Sequence, residues 1–238
     1  MKFSLKNSAV RLSKLVAYNL KIVFGGKFWL FILSALIFFL VFGTISAFNS
    51  DYFTQDEVYG LLMLPSLLLV FYPTVFGIQN DADMRTLEII FGIPDYRYKV
   101  WFVRLIMIFV IVFALLFPLA YLARILLIDF DFMAMILQLM VVVLFVGNLG
   151  FFLSTWIKNG NATAVVVVLI GLFYFIMSDS LRDSMWNIFL NPFRQLDGTA
   201  ALLWNETVLY NRIFMLSASV IFILFGLLNL QKREKFLR

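Results

Sequence analysis

The 238-residue chain is 63% apolar and 14% charged, with a mean hydropathy of +0.97, where a water-soluble domain carries about 25% charged residues; most of its exterior must therefore face lipid. With no His and no Cys, imidazole-held metal or haem, His- or Cys-based nucleophile systems and a disulfide framework are excluded. The net charge of +5 reads as cytoplasmic loops meeting anionic headgroups, not as a nucleic-acid interface.

In chain order, residues 1–27 form a polar leader. Leu5, Ala9, Leu12, Val16, Leu20 and Val23 fall on one stripe at helical spacing, and Lys6, Arg11, Lys14 and Lys21 lie around the other side. Such a helix lies in the membrane interface. It serves either as an anchor alone or as an anchor that also touches a cytoplasmic partner. The leader is too long and polar, and the apolar run after it too extended, for a cleaved signal peptide.

About 20 apolar residues in a helix cross a hydrocarbon core of roughly 30 Å. Six stretches qualify, at 28–48, 58–79, 101–128, 132–157, 162–178 and 213–230. Orientation follows from the basic residues. The leader, the segment 80–104, Lys158 and the tail 231–238 hold all of the Lys and Arg except Arg124, Arg182, Arg194 and Arg212. The positive-inside rule then puts both termini in the cytoplasm, and six spans agree in parity. The expected fold is all-α: six transmembrane helices in one domain at 28–230, a leader, and a short tail. The outer segment from Asp179 to Arg212 is apolar enough for a short interfacial or re-entrant helix around Met185, Trp186, Ile188, Phe189, Leu190 and Phe193, with breaks at Asn191-Pro192 and Asp197-Gly198.

No Asp, Glu, Lys or Arg falls near the middle of any of the six stretches; Arg104 and Arg124 lie toward opposite ends of the third. Ion-driven carriers need such groups at membrane depth, so active transport here requires an external motor. Gln138 and Asn148 are the polar candidates in the fourth stretch, Asn148 standing between Gly147 and Gly150. They either glue helices together or line a transport path.

The cytoplasmic loop from Asn80 to Pro94 carries the most information. Asp81 or Asp83 is expected to cap a short helix that Gly92 and Pro94 end, with Met84, Leu87 and Phe91 on one face and Arg85 and Glu88 on another. Tyr96, Arg97, Tyr98, Lys99 and Trp101 then form an aromatic-basic belt at the interface. From the residues alone, this is either a structural elbow or a docking element.

The same loop resembles the signature of type-2 ATP-binding-cassette exporter permeases. In that family an acidic stretch after span two leads into Gly-Thr-Leu-Glu, then a Pro and a basic residue. Here Asp81 and Asp83 stand for the acidic stretch, Thr86-Leu87-Glu88 for the core, and Pro94 and Arg97 for the close; Arg85 stands where the family usually has Gly. The layout of leader, six spans and long outer segment matches over nearly the whole chain. The resemblance implies a membrane subunit of a bacterial plasma or inner membrane, paired with a second permease subunit as a homo- or heterodimer and docked on a separate ATPase. The loop would act as the coupling helix, through Arg85, Thr86, Leu87, Glu88, Pro94 and Arg97. It also implies that this chain binds no cofactor and that ATP and Mg belong to the partner; Gly25-Gly26-Lys27-Phe28 is not a phosphate-binding loop. The implied function is ATP-driven export of an amphipathic, lipid-linked or polymeric substrate. The alternative is a non-transporting assembly or secretion subunit that uses the ATPase for mechanical work. An intramembrane enzyme lacks paired carboxylates at depth, and a passive channel lacks a charged ring or filter loop.

Overall fold

A computed structural model describes residues 28–49 and 53–231. The expectations for the leader 1–27 and the tail 232–238 lie outside the described residues. Among them the only regular structure is helix, with no strand. Its helices are α1 (Phe28–Asn49), α2 (Gln55–Asp83), α3 (Leu87–Gly92), a π-helical segment (Arg97–Phe102) running into α4 (Val103–Leu126), α5 (Phe132–Ile157), α6 (Gly160–Ile176) and α7 (Thr199–Asn229). Five are long and apolar enough to cross a bilayer by length and composition: α1, α2, the π-helical segment with α4, α5 and α7. The chain is therefore a multi-pass membrane protein. Helix α6, at 17 residues, is shorter.

Local chemistry sets the helix starts. The Thr54 side chain accepts from the Glu57 N–H at 3.4 Å while Glu57 accepts from the Thr54 N–H at 3.1 Å, a reciprocal cap on α2. Asp131 accepts from Ala134 N–H to start α5, and Asn159 from Ala162 N–H to start α6, each at 3.0 Å. Between α5 and α6 the chain reverses through Lys158 at φ 61°. Gly198, at φ 60°, precedes α7.

Helix α5 is the centre of the bundle, packed on α2, α4, α6 and α7. Its most apolar stretch is 67% buried, against 17% for α1, which leans mainly on α2. Close approach at the centre depends on glycine. A Cβ at Gly147 would stand 2.7 Å from the Phe109 ring and 2.8 Å from Val70, and one at Gly150 would stand 2.9 Å from Thr74 Oγ1. Helix α6 begins where Gly160 N–H donates to Gln79 Oε1, at the α3 end of the bundle. It leads to the segment 177–198, which meets the opposite end of α2, where Asn191 Nδ2 donates to the Asp56 carbonyl at 2.8 Å.

Two expectations are corrected. Segment 177–198 holds no helix but a succession of turns, in which Ser184 N–H bonds Leu181 O, Asn187 N–H bonds Ser184 O and Leu190 N–H bonds Asn187 O. Asn187 and Asn191 each accept, on the side chain, the N–H two residues on (Phe189 at 2.9 Å, Phe193 at 3.1 Å). Those local bonds compete with helix. The second correction is α7, which begins at Thr199 rather than near Ile213. Asn205, Glu206, Asn211 and Arg212 interrupt the apolar run, but no Pro or Gly interrupts the backbone before Gly226. Arg212 therefore sits near the middle of a 31-residue helix and is 93% shielded from solvent, at 7% exposure; a charged group does lie within a long helix after all.

Candidate functional site

Two polar clusters occupy opposite ends of the bundle. At the α3 end, α2 continues through Asp83, so neither Asp81 nor Asp83 caps the short helix. Asp81 turns inward instead and meets Arg104 of α4, with Nη1 to Oδ2 at 2.6 Å and both side chains buried. The Arg104 guanidinium also lies 4.8 Å from the Trp101 ring centroid. Arg85 turns the chain at φ 54°. Thr86 then donates both its N–H (2.9 Å) and its hydroxyl (3.0 Å) to the Asp81 carbonyl, fixing the direction in which α3 leaves.

Helix α3 is thus held beside the bundle as a separate small element. Leu87, Ile90 and Phe91 are its buried face, while Glu88 and Ile89 are exposed. Met84 does not join the buried face as expected: it precedes the helix and is exposed, because the left-handed turn at Arg85 breaks the helical register. Exposed Met84, Ile89 and Ile93 with Arg85 and Glu88 form a mixed apolar and charged surface. Pro94 is exposed in the following turn, and half-buried Arg97 lies over the Tyr98 ring at 5.4 Å. Arg85, Thr86, Leu87, Glu88 and Pro94 thus belong to one element, with Arg97 at the start of the next. Tyr96, buried, packs edge-on against Phe91 at 5.0 Å and 83°, and its hydroxyl donates to the carbonyl of Leu230 at the end of α7. That tie between two distant segments had no signal in the sequence beyond an interfacial aromatic.

At the opposite end, α7 presents Asn211 and Arg212 to the turn segment. Asn211 Nδ2 donates to Met185 O and Asn187 O, each at 2.8 Å. Arg212 donates from Nε to Gln138 Oε1 at 2.7 Å, from Nη1 to Asn211 Oδ1 at 2.8 Å, and from Nη2 to Tyr59 OH and Leu190 O, each at 3.3 Å. No carboxylate faces Arg212 among the described ion pairs. Gln138 is therefore an acceptor that anchors Arg212. Asn148, on the same helix about 15 Å away at 1.5 Å per residue, is buried with Oδ1 unpartnered among the described residues. The two do not form one site.

Among the described residues no three His, Cys, Asp or Glu side chains gather as metal ligands. A cleft of about 150 Å³ between α1, α2 and α4 is lined by Ala35, Leu69, Leu115, Pro118 and similar apolar groups; it offers shape but no chemistry. No family model, curated protein or solved structure matches the chain.

Proposed function

We propose that this chain is the membrane subunit of an ATP-driven exporter of the type-2 ATP-binding-cassette kind, docked through α3 on a separate ATPase. The supporting observation is the α3 element itself. A six-residue helix, offset from α2 by a left-handed turn, packs Leu87, Ile90 and Phe91 into the core and leaves Arg85, Glu88, Met84, Ile89 and Ile93 exposed. Exposed Met84 at 57% and Ile89 at 71% beside Arg85 and Glu88 suit the headgroup region and equally suit a partner surface, which uses apolar contacts ringed by charge. Left-handed backbone at Arg85 also fits the resemblance, since the family's usual Gly is the residue that adopts it at least cost.

In this reading α6 is a sixth span, consistent with its course from beside Gln79 to the turn segment at the opposite end of α2. Both termini then lie in the cytoplasm of a bacterial cell, and the α3 end faces the ATPase, which supplies ATP and Mg. A second permease subunit, the same or different, completes the assembly. The cargo is amphipathic, lipid-linked or polymeric.

The test is purification in mild detergent with identification of co-purifying chains, followed by Glu88→Ala. One ATPase in equal amount is expected. Glu88→Ala leaves insertion intact and hydrolysis running while transport falls about tenfold, as loss of a charge-assisted contact of roughly 1.4 kcal/mol predicts. Normal transport by this variant removes α3 as the coupling element. An ATPase that works on an assembly or secretion partner, with no cargo moved, supports mechanical work instead.

A further inference from the structure

A small cavity lies in the α3-end half of the bundle, between α2, the start of α4 and α5. Pro73, Thr74 and Gly77 line it from α2, Trp101 and Arg104 from the π-helical segment and α4, and Phe151 from α5. Its volume is about 10 Å³, at the lower edge of the roughly 10–15 Å³ that a single water needs. Nothing larger fits. Thr74 stands nine positions before Asp83, the last residue of α2, which is about 14 Å along the axis, so the cavity is well inside the bundle.

Its walls carry polar groups with unmet needs. Trp101 is 2% exposed, and its Nε1–H has no partner among the described residues. An indole nitrogen only donates, and a buried donor without an acceptor is rare in a native fold. Arg104 has several N–H donors; among the described residues one of them, Nη1, is used, on Asp81 Oδ2. A buried ion pair is favourable only when further hydrogen bonds satisfy the donors left over. Thr74 gives its hydroxyl proton to the carbonyls of Val70 and Phe71, at 2.8 and 3.2 Å, so its Oγ1 keeps lone pairs that can accept.

Size and sign together name the occupant. The Arg104 charge is matched by Asp81 at 2.6 Å, so an anion gains little there, and a cation would face a guanidinium and an N–H donor. A neutral molecule that both accepts and donates, of one heavy atom, meets every demand. We propose that this cavity binds one water. It accepts from Trp101 Nε1–H and from an Arg104 N–H not used on Asp81, and it donates to Thr74 Oγ1. The water completes the hydrogen bonding of an ion pair held at membrane depth. This site is a property of the chain alone and does not depend on what docks at α3.

NMR of the full chain in lipid nanodiscs, with isotope-labelled tryptophan, tests it. The Trp101 indole signal, assigned by its loss in Trp101→Phe, is expected at a hydrogen-bonded shift with a cross-peak to water. A non-bonded shift without that cross-peak overturns the site. Thr74→Val keeps the side chain's size and removes the acceptor, and the cross-peak is expected to be lost. Its survival unchanged overturns the bridge. If Trp101→Phe does not fold, diffraction from the unaltered protein decides. Density for one isolated atom about 2.7–3.2 Å from Trp101 Nε1 supports the water, and a cavity without such density overturns it.

Discussion

Asp81 and Arg104 are 23 positions apart, and read singly each has a surface role: an acidic helix cap, and a cytoplasmic-side basic residue at the start of the third stretch. The fold instead pairs them at 2.6 Å with both side chains buried. Losing one member of such a pair strands the other charge, which costs far more than an exposed pair contributes. Arg104→Ala is expected to destabilise the protein by about 3–5 kcal/mol, read as a lower thermal midpoint in detergent. Lys99→Ala, whose pairing with Asp95 is exposed, is expected to shift stability by less than about 1 kcal/mol. Equal effects would mean that the buried pair carries no special weight. Arg212 was also hidden from a reading of single residues. Placed at the edge of an apolar run it resembles an interfacial basic group; its role depends on Gln138, Tyr59 and Leu190, which arrive from three other parts of the chain.

At the scale of elements, boundaries were legible where caps and apolar runs agree. Helix α5 runs from Phe132 to Ile157 as its apolar stretch does, because Asp131 caps one end and Lys158 turns the other. Helix α7 extends 14 positions before its expected start because apolar character dropped where helicity did not. Glycine pattern pointed to close packing around Asn148 but not to which helices approach. The partners are α4, through Phe109, and α2, through Val70 and Thr74. Gly147→Leu is expected to lose about 1–3 kcal/mol or more by overpacking, seen as reduced recovery of folded protein. Gly171→Ala, which meets nothing within 4 Å, serves as the comparison and is expected to be recovered like the unaltered chain. If Gly147→Leu behaves the same way, α5 is not as tightly held as its contacts state.

For the whole molecule, the open quantity is the passage of α6. Its 17 residues span about 26 Å, slightly short of a typical core of roughly 30 Å, a mismatch that local bilayer thinning absorbs. The cysteine-free sequence makes a direct measurement simple. In intact cells a membrane-impermeant maleimide is expected to label Ser180→Cys, and to label Ser4→Cys and Lys235→Cys only after permeabilisation. Labelling of Lys235→Cys but not Ser4→Cys from outside would give the chain an odd number of spans; labelling of both would invert the topology and turn the α3 surface away from the cytoplasm.

Hydrophobicity and periodicity are local properties, so the sequence alone determined the all-helical, multi-pass character, the position of most helices and the existence of a short element between α2 and α4. The direction in which α3 leaves the bundle, the buried Asp81–Arg104 pair, and the hold of α7 on Tyr96 at one end and on the turn segment at the other were decided only by tertiary structure. The direction of α3 follows from a left-handed turn at Arg85 and a bond from Thr86 to the Asp81 carbonyl that residue types alone do not announce; the other contacts join groups 22 or more positions apart that satisfy one another out of water.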